Sequence, residues 1–477
     1  MIKNYLLPGL ICFTMMATTA QQQNKLPVPS PQQLAWHDME FYLFMHFGPN
    51  TFTDLEWGKG NERAEIFNPA KLDCKQWCRI AKDAGAKGII ITAKHHDGFC
   101  LWPSKFSTHT VRESKWKNGK GDVLKELSAA CKLYGLKFGV YISPWDRNHP
   151  DYGTEKYNDV FVNMMKEIFT NYGPIWELWW DGANGEGPNG KKQVYDWKRF
   201  EKTVREISPN TVVFSDIGPD IRWCGNENGV AGETNWNMLD TVGFTRGAGG
   251  PPTDTLNKGN IDGKNWIPAE CDVSIRPGWF YHKSEDTKVK TAEQLFDLYL
   301  KSVGRGANLL LNVPPDGRGL ITSYDSVSLI GLRSLINKNF ANDLLINQPF
   351  SRLSNVRTGL SGLGYKSEYR IGDKIAEKNT FIEYTFPGPK KMNCIVLKER
   401  LQNGQKIKRL SIRMENEDGK SSFEFVNTIG NKRIITFPSR EVKKIVIILL
   451  TDEDTKPYPV LYKPEAYLID EKLVEKN

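Results

Sequence analysis

The sequence predicts an α/β fold, an irregular (β/α)8 TIM-like barrel followed by a C-terminal β-sandwich. Short apolar strands alternate with helices over roughly 300 residues, and polar and aromatic residues gather after each strand. From about residue 350, short strands separated by turn residues replace this alternation. These changes predict three segments: a signal peptide at residues 1–20, a barrel at 21–345 and a sandwich at 346–477.

The barrel elements are predicted from hydrophobic periodicity. Buried strands are indicated by short, bulky apolar runs at residues 41–48, 87–94, 136–144, 175–180, 211–216 and 307–313. Helices are indicated by apolar residues at helical spacing at residues 68–85, 122–134, 157–169, 194–207, 291–303 and 324–339. Between residues 216 and 290 the helical signal is weak and glycines are dense, so we expect the barrel to be irregular there.

The C-terminal segment has the pattern of an all-β domain. Its predicted short strands are residues 381–386, 394–397, 409–413, 423–425, 433–437 and 444–449. Turn pairs such as Asn403-Gly404 and Asp418-Gly419 separate them. The segment contains no Trp and no His, which argues against a sugar-stacking module and favours a packing or accessory role.

Residues 1–20 have the pattern of a signal peptide. Lys3 precedes an apolar stretch that is too short to span a bilayer comfortably, and small residues at 17–20 form a cleavage site. We therefore expect an exported protein, periplasmic or extracellular, with no membrane span. Cys12 is not expected to carry a lipid, because the bulky Ile11 precedes it.

Charge and cysteine usage exclude two further classes. The formal charge of +8 is spread along the chain without a basic stripe among aromatic residues, so nucleic acid is not an expected partner. Seven cysteines remain after the predicted cleavage, and their odd number and spacing do not indicate a disulfide framework. All 14 tryptophans lie between Trp36 and Trp279, so we expect the function to reside there.

One aromatic run is a candidate for the catalytic centre. Residues Trp176 to Trp180 are followed by Asp181 and a glycine-rich turn. A carboxylate between indole rings at the end of a barrel strand suits a sugar site, because pyranose CH faces pack on indole and the acid meets the anomeric carbon. In the alternative interpretation, the tryptophans are core residues and Asp181 starts a turn, since Asp-Gly is common turn chemistry.

Other predicted strand ends bring polar side chains to the same rim. They are His46, His95, His96, Tyr141 and Trp179, with Asp216 nearby. Neutral imidazoles donate and accept hydrogen bonds with sugar hydroxyls, but histidines with an acid also fit a metal-dependent hydrolase. Against a metal site, the adjacent histidines form no His-x-His element, and no Lys or Glu completes a bimetal set.

Four motifs occur together along the predicted barrel. They are Met45-His46-Phe47-Gly48, Lys94-His95-His96-Asp97-Gly98-Phe99, Gly139-Val140-Tyr141-Ile142-Ser143 and Leu178-Trp179-Trp180-Asp181-Gly182. In combination they resemble the α-L-fucosidases of glycoside hydrolase family 29, and the resemblance runs through the whole barrel. A β-sandwich follows the barrel in that family too. Its members are retaining enzymes that need no metal, so the resemblance implies an enzyme with no cofactor.

The resemblance implies two catalytic carboxyl groups. Asp181 would be the nucleophile that forms a covalent fucosyl-enzyme, and the candidates for the acid/base are Glu227, Glu233 and Glu270. Residues 218–229 resemble the subgroup that prefers branched α-1,3/1,4-linked fucose, in which the Glu of Gly-Asn-Glu is the acid/base. We therefore favour Glu227, with Glu270 second. The alternative for Glu227 is a solvated loop acid.

The same resemblance implies the substrate-binding residues. Those expected on fucose are His46, Trp57, His95, His96, Tyr141 and Trp179. Residues 269–281 are expected to line the opposite side of the pocket, with Glu270, Arg276 bound to a hydroxyl and Trp279 stacked on a sugar ring.

The expected function is release of L-fucose from α-1,3/1,4-fucosylated, Lewis-type oligosaccharides and glycoconjugates by a retaining exo-α-L-fucosidase. Two alternatives remain open at this point. One is a metal-dependent TIM-barrel hydrolase that uses the three rim histidines and Asp181. The other is a non-catalytic sugar-binding barrel, which would lack one of the two carboxylates.

Overall fold

The computed structural model describes residues 26–353, 370–371, 374–375, 381–450 and 460–474. The predicted signal peptide at residues 1–20 lies outside the described residues. No helix in these described ranges is long and apolar enough to cross a membrane.

Eight parallel strands close into a barrel. In chain order the strands of this region are β1 (Phe41–Met45), β2 (Gly88–Lys94), β3 (Lys137–Ile142), β4 (Glu177–Trp179), β5 (Val212–Ser215), β6 (Ile221–Trp223), β7 (Met238–Leu239), β8 (Asn265–Trp266), β9 (Ala269–Ser274) and β10 (Asn308–Asn312). Around the barrel the order is β1-β2-β3-β4-β5-β6-β9-β10, and β10 pairs with β1 to close it. The short β7 and β8 form a separate two-stranded pair.

Helices connect and cover the barrel strands. They are α1 (Pro31–His37), α2 (Asn50–Thr53), α3 (Cys74–Asp83), α4 (Val123–Tyr134), α5 (Glu155–Asn171), α6 (Trp197–Ile207), α7 (Thr253–Lys258), α8 (Ala292–Lys301) and α9 (Ser323–Asn339), and α10 (Glu471–Val474) lies near the C-terminus. Side chains of Asp73, Asp122, Asp196 and Thr291 cap the amino ends of α3, α4, α6 and α8. Gly135 ends α4 with a left-handed φ of 70°.

Successive residues of each strand face opposite sides of the barrel wall. Leu43, Ile89 and Ile91 belong to the large apolar core that includes the helices, whereas Phe44 and Ile90 belong to a separate cluster inside the barrel. Both faces of these strands are buried, which is why they are almost continuously apolar in the sequence. The interior cluster is rich in aromatic rings and forms the floor on which the pocket rests.

The barrel is irregular in the predicted region. No helix separates β5 from β6, and the two parallel strands are joined by residues 216–220. Between β6 and β9 the chain forms α7 and the β7–β8 pair in place of one long crossover helix. The irregularity is confirmed, although the sequence analysis did not identify β6 or β9 as strands.

The C-terminal region is mainly antiparallel β structure, and its one parallel pair among the described residues is β12 with β18. One sheet contains β11 (Phe350–Leu353), β14 (Phe381–Leu397), β17 (Arg433–Leu450), β15 (Arg409–Glu415) and β16 (Ser421–Val426) in that order, with β19 (Glu465–Tyr467) paired to β14. A second, small sheet contains β12 (Arg370–Ile371), β13 (Lys374–Ile375) and β18 (Val460–Leu461).

Two details of this region differ from the sequence analysis. The separate strands expected at 381–386 and 394–397 are both parts of β14, and those expected at 433–437 and 444–449 are both parts of β17. Register shifts in the β14–β17 pair accommodate the intervening residues without ending the pairing. The all-β character of the region is confirmed, and the exact boundary at residues 345/346 stays a prediction.

Polar contacts join the C-terminal sheet to the barrel side of the chain. Gln405 accepts a hydrogen bond from the Asn237 backbone N–H at 2.8 Å and donates to the Asn235 carbonyl at 3.1 Å. Lys432 pairs with Glu40, which directly precedes β1 at the amino-terminal end of the barrel. This contact therefore lies at the end opposite the carboxyl ends of the strands.

Candidate active site

A cavity of about 170 Å³ opens at the carboxyl ends of the barrel strands. This is the rim on which barrels of this type carry their chemistry. Its lining residues are Phe44, His46, Glu56, Trp57, His95, His96, Tyr141, Trp179, Asp181, Ala183, Glu227, Asp272 and Trp279. Most of the residues expected from the sequence are therefore brought together, and Glu233, Glu270 and Arg276 are not among those that line the cavity.

The Asp181 carboxylate is held in a fixed orientation just beyond β4. The Tyr141 hydroxyl donates to Oδ2 at 2.8 Å, and the Ala183 backbone N–H donates to Oδ1 at 2.7 Å. His96 Nε2 lies 3.7 Å from Oδ2. Because its side chain is about one-quarter exposed, at 25%, Asp181 is positioned by the protein and still open to the cavity.

His46 is a neutral imidazole whose tautomer is set by its neighbour. Its Nδ1 lies 2.9 Å from Oδ1 of Asn312, an oxygen that only accepts, so Nδ1 carries the proton and Nε2 is left as an acceptor. Burial lowers the pKa of His46 to about 3, which keeps the ring neutral at ordinary pH. The ring therefore offers an acceptor for a hydroxyl group.

His95 and His96, which are adjacent in the sequence, are two further neutral imidazoles. Burial lowers the pKa of His96 to about 4 and holds the pKa of His95 well below its usual value. His96 Nδ1 lies 2.8 Å from the Ser143 hydroxyl, which itself donates to the Trp145 carbonyl, so His96 Nδ1 is the donor to Ser143. The rim of this cavity is thus polar without carrying positive charge from histidine.

Trp179 forms the aromatic floor of the cavity. Its ring is stacked on Phe214, with centroids 4.0 Å apart and planes 10° apart, and lies beside Tyr141 at 5.3 Å. Its indole N–H donates to Oε1 of Glu270 at 2.9 Å. Glu270 is therefore placed beneath the floor and supports Trp179 from inside the barrel.

Glu270 belongs to a buried carboxyl pair with Glu177. Neither side chain is exposed, and Tyr42 and Trp36 donate hydrogen bonds to Glu270 and Glu177, respectively. Burial raises the pKa of both carboxyl groups, and the charge of Glu270 raises that of Glu177 further. Because two negative charges cannot coexist cheaply in this interior, the pair retains a proton.

Trp279 forms one wall of the cavity and is fixed by three hydrogen bonds. Its backbone N–H donates to Oε2 of Glu56 at 2.8 Å, and its carbonyl accepts from Asn312 at 2.7 Å. Its indole N–H donates to Oε2 of Glu227 at 3.2 Å. The exposed Glu227, on the loop after β6, therefore meets the cavity next to this indole.

Glu56 is a lining residue that the sequence analysis missed. His282 bridges Oε1 of Glu56 and Oδ1 of Asp54, each at 2.6 Å. Burial opposes a charge on His282, but these two hydrogen bonds and the negative charges of Glu56 and Asp54 together outweigh it and raise the pKa of His282. The network anchors the loop that carries Trp279 to the loop that carries Glu56 and the half-exposed Trp57.

Arg276 lies away from the cavity in a buried ion pair. Its guanidinium donates to both oxygens of Asp325, at 2.9 and 2.8 Å, and to Asp286 at 3.0 Å. Neither Arg276 nor Asp325 has an exposed side chain. Arg276 thus fixes the base of the Trp279 loop against the start of α9.

Three further residues differ between the predicted site and the observed cavity lining. Glu233 has an 83% exposed side chain and lies 3.9 Å from Arg305, outside the cavity. Phe44 lies on β1 two residues before His46, so strand periodicity places both side chains on one face and could have identified Phe44. Asp272 lies within residues 269–281, which were expected to line the pocket, but it was not named individually because β9 was not recognised as a strand.

The described residues contain no group of three or more His, Cys, Asp and Glu side chains placed to hold a metal ion. The cavity combines a fixed carboxylate, neutral imidazoles and indole walls at the carboxyl ends of a closed parallel barrel. This combination defines the protein as a glycoside hydrolase.

Comparisons with known proteins identify the family. Residues 55–339 match the family model for α-L-fucosidase. The chain is 41% identical over 442 residues to alpha-L-fucosidase 1 of Arabidopsis thaliana, covering 90% of this chain and 86% of that protein. The protein therefore belongs to the α-L-fucosidase family.

Solved structures agree with this assignment. A glycoside hydrolase family 29 member from an unknown rumen bacterium is similar with a TM-score of 0.81 and 38% identity, covering 93% of this chain and 78% of that one. A Ruminococcus gnavus family 29 fucosidase in complex with fucose has a TM-score of 0.80 and 30% identity, covering 94% and 96% of the two chains.

The buried Glu177–Glu270 pair predicts a specific pH dependence of stability. The pKa values of both carboxyl groups are raised in the folded state. The stability that the pair contributes is therefore fully present below the ordinary carboxyl pKa range and is lost as the pH rises through the folded-state pKa values. Glu270→Gln removes one of the two ionisations. Between about pH 6 and 9 its Tm should therefore fall less than the Tm of the wild type, and the two decreases should differ by about 2 °C or more. Glu417→Gln, at an exposed turn, is the control and should follow the wild type. Parallel Tm curves for all three proteins would contradict the shared-proton interpretation.

The Arg276–Asp325 pair predicts a large cost of truncation. Asp325→Ala leaves a buried guanidinium with Asp286 as its remaining ion-pair partner, so we expect a loss of about 3 kcal/mol in unfolding free energy. The matched control is Asp297→Ala, which removes a partly exposed pair with Lys301 and should cost less than about 1 kcal/mol. Urea denaturation of both variants measures the difference, and equal costs would refute it.

Proposed function

We propose that the protein is an exported, retaining exo-α-L-fucosidase that removes terminal L-fucose from α-1,3/1,4-fucosylated, Lewis-type oligosaccharides and glycoconjugates. The observation that carries the proposal is the oriented Asp181 carboxylate, which faces a small open cavity with Glu227 on its wall. A cavity of about 170 Å³ suits one monosaccharide at the end of a chain, which is the requirement for exo action.

Asp181 acts as the nucleophile in this proposal. One carboxylate oxygen attacks the anomeric carbon as the bond from that carbon to the glycosidic oxygen breaks, which gives a covalent fucosyl-enzyme. The donors Tyr141 and Ala183 hold the carboxylate in one orientation, so little reorganisation is needed before attack.

Glu227 acts as the acid/base. It protonates the departing glycosidic oxygen in the first step, and as a carboxylate it then takes a proton from the water that attacks the fucosyl-enzyme and releases Asp181. Its place in the cavity wall supports this role, whereas Glu270 lies beneath Trp179 and Glu233 lies outside the cavity. Exposure of Glu227 gives it access to water for proton exchange.

The neutral rim accounts for recognition of an uncharged sugar. His46, His95 and His96 present imidazole nitrogens without a net charge, and Trp179, Trp279 and Trp57 present apolar faces. Sugar hydroxyls require such donors and acceptors, and the CH faces and methyl group of L-fucose pack on aromatic rings. The linkage preference rests on the resemblance of residues 218–229 to the α-1,3/1,4 subgroup, and export rests on residues 1–20.

The catalytic assignment predicts different behaviour on two substrates. Asp181→Ala should lose hydrolysis of both a Lewis trisaccharide and an aryl α-L-fucoside, and added azide should restore turnover as β-fucosyl azide. Glu227→Ala should lose about 10²–10⁴-fold in kcat/KM on the trisaccharide and much less on the aryl substrate, whose leaving group needs little protonation. Product analysis and initial rates measure both effects.

Other outcomes would redirect the proposal. If Glu227→Ala cleaves both substrates like the wild type, Glu227 is not the acid/base, and Glu270→Gln becomes the next variant to assay. If EDTA abolishes activity and a divalent metal restores it, the metal-dependent alternative is supported. Fucose binding without turnover of either substrate would support the non-catalytic alternative.

A further inference from the structure

Asp272 is a carboxyl group of the cavity that the catalytic proposal does not use. It lies on β9, two residues after Glu270, and both side chains are directed into the barrel because strand residues alternate. Asp272 is 4% exposed and lines the cavity together with Asp181 and Glu227. A buried acid at this position requires a partner or a neutral form.

The two oxygens of Asp272 have different surroundings. Oδ1 accepts a hydrogen bond from the indole N–H of Trp223 at 2.9 Å. The backbone N–H of Asp272 itself is a further donor to this carboxyl, and in the part of the chain that the structure describes no Lys, Arg or His charge acts on the group. Because Oδ1 accepts from Trp223, a proton on this carboxyl resides on Oδ2, and the carboxyl lines the cavity.

We propose that Asp272 is a substrate-binding residue in its neutral carboxylic acid form, and that its Oδ2–H donates a hydrogen bond to an oxygen of the fucosyl unit in the cavity. This inference rests on the proposed function. It adds a donor to a rim whose histidines, at His46 and His96, present acceptor nitrogens.

The groups around Asp272 favour the neutral form. Burial raises its pKa well above the usual range, and the neighbouring Cys224, Glu227 and Glu270 raise it further. Cys224 and Glu227 lie in the loop after β6, and Glu270 lies on the same strand as Asp272. None of these groups supplies positive charge, so ionisation would place an unpaired carboxylate next to other acids.

A role as hydrogen-bond donor differs from two other possible roles of Asp272, those of a general acid and of a purely structural residue. A general acid must release its proton during the reaction, whereas a hydrogen-bond donor retains it. A purely structural residue would hold Trp223 and leave sugar binding unchanged. Asparagine distinguishes them, because its amide keeps an acceptor for Trp223 and an N–H donor at the position of Oδ2 but cannot transfer a proton.

The experiment compares Asp272→Asn and Asp272→Leu in the full-length protein. Binding of free L-fucose is measured by calorimetry, and kcat/KM is measured on an aryl α-L-fucoside. We expect Asp272→Asn to retain fucose affinity and kcat/KM within about threefold, and Asp272→Leu to weaken fucose binding about tenfold or more. Tm values of both variants verify folding.

A pH profile gives a second readout that does not depend on the leucine variant. Because the aryl substrate needs little acid help, its kcat/KM reports the first step largely free of Glu227 protonation. The wild type should lose activity on the alkaline side as Asp272 ionises, and Asp272→Asn should keep its activity to higher pH. This sign follows from the raised pKa of the acid.

Three results would overturn the inference. Loss of activity in Asp272→Asn as severe as in Asp272→Leu would show that Asp272 works as a proton donor or an anion. Unchanged fucose affinity in a folded Asp272→Leu would show that Asp272 has only a structural role. If the activities of wild type and Asp272→Asn fall identically at alkaline pH, ionisation of Asp272 does not control activity. An inactive wild type would instead contradict the proposed function itself.

Discussion

The hydrogen-bonded pairing of β1 with β10 closes the barrel and so sets the position of every residue at its rim. It joins strands more than 250 residues apart and closes a sheet of eight parallel strands. Parallel closure places the carboxyl end of every strand on one rim, so side chains that are distant in sequence share one cavity. His46, which directly follows β1, and Asn312, which ends β10, therefore meet, and Asn312 fixes both the His46 tautomer and the carbonyl of Trp279.

The rim can be precise because the barrel interior below it is filled and hydrogen-bonded. Aromatic rings occupy the inside, and Trp179 is fixed both by stacking on Phe214 and by its bond to Glu270. The pair of Glu270 and Glu177 is costly to bury, and the indole and phenol donors around it together with a retained proton offset that cost. A buried acid pair here supports the position of the floor and is not among the residues that line the cavity.

Four acids near the rim illustrate how surroundings assign different chemistry to one functional group. Asp181 is partly open and accepts two hydrogen bonds, which suits an anionic nucleophile. Glu227 is exposed on a loop, where proton exchange with water is fast. Asp272 is buried among acids, which favours its neutral form, and Glu270 lies beneath the floor. In the proposed mechanism, the same functional group thus acts as nucleophile, acid/base, hydrogen-bond donor and structural support.

The class of fold and many of the residues that line the cavity could be predicted from the sequence. Hydrophobic periodicity identified six barrel strands, because strands buried on both faces are continuously apolar, and strand ends marked His46, His95 and Asp181. Periodicity gave no signal for β6 and β9, which are short or carry inward-facing acids, so Asp272 was not singled out within the segment 269–281 that was expected to line the pocket.

Whether a charged side chain reaches the cavity could be read only from the folded structure. Glu270 and Arg276 lie in the segment expected to line the pocket, yet one supports Trp179 from below and the other is paired with Asp325. Local spacing fixes only the alternation along a strand. Barrel closure and the loops anchored through Glu56 decide which of the alternating residues reach the cavity, because those contacts join parts of the chain that are far apart in sequence.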